Sequence, residues 1–222
     1  MARLAQALHL LDTRQLPVHI TPPVRMMIES LSRNVGGLSG LVLRLLLNPA
    51  LTGMVLKMLG KQAALFSPLL HNTACPTMLN GSGKINVIPG EVVLGLDGRL
   101  VPGSRPEDMF RELHALLGQE VRFEVLKADP GPAAPDMGLF DTLGGILQEM
   151  DPGGIPLPFV MTGVTDARFL SKLGIQTYGF TPLQLPEEFN FISTVHAADE
   201  RVPVAALDFG TKAIFNAIQR FH

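Results

Sequence analysis

The apolar positions of this chain open at helical spacing. In residues 1–16 (MARLAQALHLLDTRQL) they recur every three or four places, which predicts an amphipathic helix over 1–14, ended at Leu16–Pro17. Residues 18–72 read as mostly helical, with breaks expected at Pro22–Pro23, Gly36–Gly37, Pro49 and Pro68. Leu38, Leu41, Val42, Leu45 and Leu46 share one helical face before Asn48 and Pro49 interrupt it. From residue 73 to 101 the pattern becomes alternating and β-branched. Thr77–Leu79, Lys84–Ile88 and Val92–Leu96 predict strands, joined by turns at Gly81–Gly83 and Pro89–Gly90. A helix follows, where Ser104 and Glu107 have the spacing of a capping box and Pro106 sits in the first turn. Met109, Phe110, Leu113, Leu116 and Leu117 form its apolar stripe, and Gly118 stops it. Val121, Phe123 and Val125 then alternate with Arg122 and Glu124, as in a half-buried strand. Helix, strands, helix and strand in that order describe an α+β sandwich with an antiparallel sheet.

Residues 127–135 (KADPGPAAP) are rich in Pro, Gly and Ala and mark a domain boundary. Beyond them the chain predicts a helix over 137–150 and an apolar strand at 158–161. A helix over 166–173 follows, stopped by Gly174, then a strand at 177–180 and a last helix over 204–221. Strands alternating with helices read as half of an α/β layer sandwich.

Charge and cysteine usage narrow the function. The net charge is −2 and no run of Lys or Arg occurs, which argues against nucleic acid as a partner. The single cysteine, Cys75, can form no internal disulfide and fits a reducing, cytoplasmic setting. The N-terminus lacks the pattern of a secretory signal, and a helix that opens at once suggests a start in mid-domain. The most apolar stretch, Leu38 to Leu59, is interrupted by Arg44 and Lys57. Its longest charge-free run, Leu45–Leu56, is shorter than the roughly 20 apolar residues of a membrane-spanning helix. It reads as a helical hairpin packed on the body of the protein. The sharper alternative is an apolar surface that meets lipid, a lipid-like substrate or a partner subunit.

Three constellations could carry chemistry. In the first, Asn86 precedes a Pro-Gly turn and Arg99 stands near a strand end, where a guanidinium could grip a carboxylate through two parallel bonds. A turn-favouring Asn and a solvated surface Arg explain the same residues without function. In the second, Thr165 or Asp166 would cap the helix that follows, and the same loop could bind a polar or anionic group. In the third, His196 precedes Asp199 and Glu200. Neutral imidazole is a common zinc ligand, and a nearby carboxylate can fix its tautomer. The other histidines show no ligand-like spacing, and neither HExxH nor a CxxC pair occurs.

In order and separation, the segments Asn72–Thr73 through Pro76–Thr77, Lys84–Pro89, Asp97–Gly103, Thr165–Arg168 and His196–Glu200 resemble one family. It is the zinc-dependent aminoacylase, carboxypeptidase G and succinyl-diaminopimelate desuccinylase family (metallopeptidase family twenty). The helical stretch at 18–71 resembles an insertion in its branch of Gly-X carboxypeptidase and N-fatty-acyl-amino-acid hydrolases. The resemblance implies a lid or dimerisation domain over 1–126, lacking its first strand, and the C-terminal half of an α/β catalytic domain over 127–222. It makes Asn86, Arg99, Thr165 and Asp166 substrate-binding residues and His196 a zinc ligand. It implies two zinc ions in a complete enzyme, a homodimer formed through the lid, and peptides or N-acyl amino acids as substrates. The family's His-x-Asp pair, bridging Asp, paired Glu residues and next acidic ligand all precede the lid and have no counterpart here. The expectation is therefore a chain that retains little zinc and hydrolyses nothing by itself, since a catalytic zinc takes about three protein ligands. The alternative is a non-catalytic dimerisation or ligand-binding module derived from that family.

Overall fold

The computed structural model describes residues 1–129, 136–161 and 163–221, and the chain divides into two compact units. The first comprises residues 1–135 with 159–175, and the second comprises 136–158 with 176–222. The boundary expected at 127–135 falls, for residues 130–135, outside the described residues.

The first unit begins with α1 (Ala2–Thr13), followed by α2 (Pro22–Val35), α3 (Gly37–Leu45), α4 (Pro49–Leu59) and α5 (Ala63–Leu70). The expected breaks at Pro22–Pro23 and Pro49 are helix starts instead. A proline at the first helical position gives up an N–H that has no intrahelical acceptor anyway. Asn48 completes the start of α4 by accepting a hydrogen bond from the Ala50 N–H at 3.1 Å. Pro68, expected to stop a helix, lies inside the short α5. Gly36, with φ of 63°, ends α2 in a backbone conformation that side chains disfavour, and the chain reverses there into α3. The two helices then meet so closely at Gly40 that a Cβ would run into the Ser32 carbonyl. Val24, Met27, Ile28, Leu46, Val55, Leu56, Leu69 and Leu70 form the resulting core.

The antiparallel sheet consists of two strands, β1 (Thr73–Asn80) and β2 (Val93–Arg99). Their register runs from Thr73 opposite Arg99 to Asn80 opposite Val93, with an irregularity between Pro76 and Met78. Helix α6 (Pro106–Leu117) joins Met109 and Leu113 to Leu16 in a second core, with Ala74, Leu96 and Phe123 packed against it. The cap of α6 differs from expectation by one residue. The Asp108 carboxylate accepts the Arg105 N–H at 2.8 Å, and Ser104 and Glu107 take no part in the cap. The rest of the first unit carries α8 (Ala167–Lys172).

The second unit contains α7 (Phe140–Met150), the single turn α9 (Phe191–Thr194) and α10 (Val204–Arg220). Helix α10 lies against α7 and turns Ala206, Gly210 and Ala213 inward, and a Cβ at Gly210 would press on the Pro182 carbonyl. Arg220 closes the pair by donating to both oxygens of Glu149, at 2.9 and 2.6 Å.

Four expected strands do not form. Lys84–Ile88 is an irregular connection between β1 and β2, and residues 121–125, 158–161 and 177–180 are irregular as well. Among the described residues no strand follows Arg99, so the alternating α/β pattern expected for 127–222 is helical only. A strand exists through its partner, because its N–H and C=O groups must be paired along a ladder. Apolar residues in these segments stay in solvent, as with Ile85 at 107% and Phe159 at 80% exposure.

Candidate functional site

Arg99 is the last residue of β2, and its guanidinium Nε donates to the Asp97 carboxylate at 3.1 Å. Both side chains are more than half exposed, so the pair is open to exchange with another carboxylate. Asn86 is exposed in the connection between the strands. The register puts that connection beyond Asn80 and Val93, while Arg99 lies at the opposite end of the hairpin beside Thr73. Six residue steps along β2 separate the two ends, roughly 20 Å of strand. The hairpin therefore does not bring Asn86 and Arg99 together.

Thr165 and Asp166 form the exposed entry to α8. The Thr165 hydroxyl accepts the Ala167 N–H at 3.3 Å, and Asp166 makes no side-chain cap. What holds this loop is Asp129, which gathers three cations. Lys172 donates to it at 2.5 Å, with Lys127 at 3.7 Å and Arg168 at 3.8 Å. The Lys172 hydrogen bond, aided by the charges of all three, holds the Asp129 carboxyl below its usual range. The Arg168 guanidinium also lies over the Phe169 ring, 4.5 Å from its centre. The loop is thus fixed from behind while Thr165 and Asp166 face solvent.

His196 belongs to the second unit and is exposed, with a φ of 58° that is uncommon outside glycine. Of the two carboxylates that follow it, Asp199 is paired with Arg201. Among the described residues no three His, Cys, Asp or Glu side chains stand together as a metal site. The residues present do not fit a dizinc centre, and no catalytic step can be derived through one.

One polar network joins Asn72, from the first motif segment, to His19 and Glu112, which carry no sequence signal. His19 Nε2 lies 2.6 Å from Glu112 Oε1, and the buried Asn72 donates to both Glu112 oxygens at 3.2 and 3.1 Å. The Asn72 carbonyl in turn accepts the Val101 N–H at 2.9 Å. His19 and Glu112 border a pocket of about 260 Å³, together with Ser104, Asp108 and Arg111. Asp108 is held below the ordinary carboxylate range, first by the Arg105 N–H and then by the Arg111 charge. The His19–Glu112 contact fastens the linker before α2 to α6. The parts of the network lie 93 and 40 residues apart in the chain, beyond the reach of any local pattern.

The model of peptidase family M20/M25/M40 matches residues 11–220. The human N-fatty-acyl-amino acid synthase/hydrolase PM20D1 is 29% identical over 182 residues, which cover 79% of this chain and 36% of the relative. Succinyl-diaminopimelate desuccinylase of Hydrogenovibrio crunogenus is 29% identical over 177 residues, 78% of this chain and 44% of the relative. The same enzyme of Leptothrix cholodnii is 33% identical over 132 residues, 57% and 32%. The chain thus spans well under half the length of these curated relatives. No solved structure gives a significant match.

Proposed function

The chain belongs to peptidase family M20/M25/M40, and from that premise we propose that it carries the substrate-carboxylate side of an amide hydrolase acting on peptides or N-acyl amino acids. In this reading residues 1–126 are a lid with a helical insertion at 18–71, and residues 127–222 are the returning half of a catalytic domain. Arg99 carries the reading. It ends a strand with one exposed carboxylate partner, and a substrate carboxylate can replace Asp97 with two parallel N–H bonds. Asn86 contributes an amide to the substrate, and Thr165 and Asp166 line the loop that receives it. Because Asn86 and Arg99 stand at opposite ends of the hairpin, they address different parts of the substrate. The assembly is a homodimer through the lid, where the two-stranded sheet leaves edges open to pairing.

Metal dependence is general in this family. His196 supplies at most one ligand, and one imidazole does not hold a catalytic zinc. Hydrolysis by this chain alone is therefore not part of the proposal. A second reading, a non-catalytic dimerisation or ligand-binding module, is favoured by the absence of any three-donor cluster among the described residues.

Calorimetric titration of the purified chain with an N-acetyl amino acid tests the Arg99 assignment. Arg99→Ala should weaken binding by about tenfold or more, the scale of one charge-assisted hydrogen bond. The methyl ester of the same ligand should be insensitive to that substitution. Equal affinity of the wild type and Arg99→Ala for the free acid would overturn the assignment.

A further inference from the structure

The helical segment at 22–70 has a charge balance unlike the rest of the chain. No acidic residue occurs between Glu29 and Glu91, yet Arg33, Arg44, Lys57 and Lys61 lie in that interval. All four are exposed, and among the described residues none of them meets a carboxylate. The remainder of the molecule is acidic, since the whole chain carries a net −2.

The same segment leaves large apolar side chains in water. On α4, Thr52, Val55 and Leu56 face the core. The opposite side presents Met54 and Met58, at 52% and 69% exposure. At about 100° per residue, Lys57 falls on the arc that holds those two methionines, within roughly a third of the helix circumference, and Lys61 is exposed in the 3-10 turn that follows the helix. On α3, Leu38 and Leu41 are exposed at 76% and 56%, and Arg44 continues the row at the next turn. Apolar side chains flanked by unpaired cations, with no acid among them, form a surface suited to the boundary between headgroups and acyl chains. Among the described residues no helix is long and apolar enough to cross a membrane, which fits contact at the interface.

We propose that the exposed face of α3 and α4 docks on an anionic phospholipid surface, with Met54, Met58, Leu38 and Leu41 entering the headgroup region and Arg44, Lys57 and Lys61 meeting the lipid phosphates. Charge complementarity selects this occupant. A second copy of the chain would set one cationic face against another, at the cost of like-charge repulsion.

The test is co-sedimentation of the full chain with two kinds of vesicle. One is pure phosphatidylcholine and the other contains roughly 30 mol% phosphatidylserine. Binding should appear on the anionic vesicles and fall by about tenfold or more in high salt. Lys57→Glu with Lys61→Glu changes only exposed residues and should weaken binding by at least about tenfold. Arg122→Glu, an exposed basic residue outside this face, should leave binding unchanged. Met54→Ser with Met58→Ser should weaken binding to a similar extent, with an unchanged far-ultraviolet circular dichroism spectrum. No preference for anionic vesicles, or equal loss in Arg122→Glu, would overturn the proposal. So would a dimer in sedimentation velocity that the methionine variant dissolves, which would assign the face to a second copy. Binding of a long-chain N-acyl amino acid through these residues, with no vesicle binding, would assign it to substrate and overturn it too.

Discussion

The helical segment at 22–70 and the helical pair α7–α10 of the second unit bury their apolar faces by different means. In the first, side chains from α2, α4, α5 and the turn after α3 converge, and Ile28, Leu46 and Leu70 are fully buried. In the second, the buried apolar residues are Ile146, Ala206 and Ala213, two of them small, while Leu207, Phe215 and Ile218 remain in solvent. Sequence neighbours supply the partners in the first case. Successive helices joined by short turns fold back on each other, so each apolar stripe meets one nearby in the chain. In α10 a narrow face of small residues is enough for close contact with α7, and the wider apolar stripe stays unpartnered among the described residues. The difference shows that apolar periodicity specifies a helix and its direction of burial, while the depth of burial depends on which neighbours arrive.

Replacement of Ile28 by alanine tests the comparison most severely. A fully buried isoleucine in the helical core should cost about 2–5 kcal/mol in urea unfolding. Ile218→Ala, at 66% exposure on α10, should stay within about 0.5 kcal/mol of wild type. Comparable losses would erase the distinction between the two regions. Asn72→Ala comes next. It strands the Val101 N–H and removes two hydrogen bonds from Glu112, whose side chain is only 10% exposed, so a loss of about 1–3 kcal/mol is expected by the same measurement.

The glycine contacts sharpen the comparison further. Gly40→Ala and Gly210→Ala each place a Cβ against a carbonyl, and each should destabilise by about 1–3 kcal/mol. Helix propensity alone would favour alanine by about 1 kcal/mol, so a net loss at Gly210 shows that the packing contact wins. If only Gly40→Ala destabilises, the second unit is loose at its own closest contact.

The smallest effect is the pH response of Glu149. Its carboxyl is held below the ordinary range by the Arg220 hydrogen bond, and the Arg220 pKa is raised in return. A depressed folded-state pKa gives stability that is present above the unfolded value and lost as pH falls through the folded one. The melting temperature of Glu149→Gln should therefore lie slightly below wild type at neutral pH and converge with it on acidification below the usual glutamate range. A gap that widens at low pH would contradict the pairing.

Helices α1, α6 and α10 were legible because their signals are local. The stripe Met109–Leu113–Leu116 and the stop at Gly118 lie within the helix itself or directly beside it. The strands expected at 121–125 and 177–180 do not form, because alternation describes one side of a pairing whose other side lies elsewhere. Pro22 and Pro49 start helices where breaks are expected, because a proline marks a helix boundary without telling which end it is. Of the candidate site, Arg99 and the entry to α8 are found where motif spacing suggests, at a strand end and before a helix. Besides the His19–Glu112 network, two features lie beyond sequence reading. Asp199 gives its carboxylate to Arg201, and Asp129 anchors α8 across some 40 residues. The first is a choice of local rotamers two residues apart and the second a long-range contact, and neither is encoded by spacing.

Zinc content measured together with N-acyl amino acid hydrolysis tests the central claim most directly. A family member whose described residues cluster no three metal donors should, purified in the presence of zinc, hold far less than one ion per chain and show no turnover above buffer. Two zinc ions per chain with hydrolysis lost in His196→Ala would contradict the account.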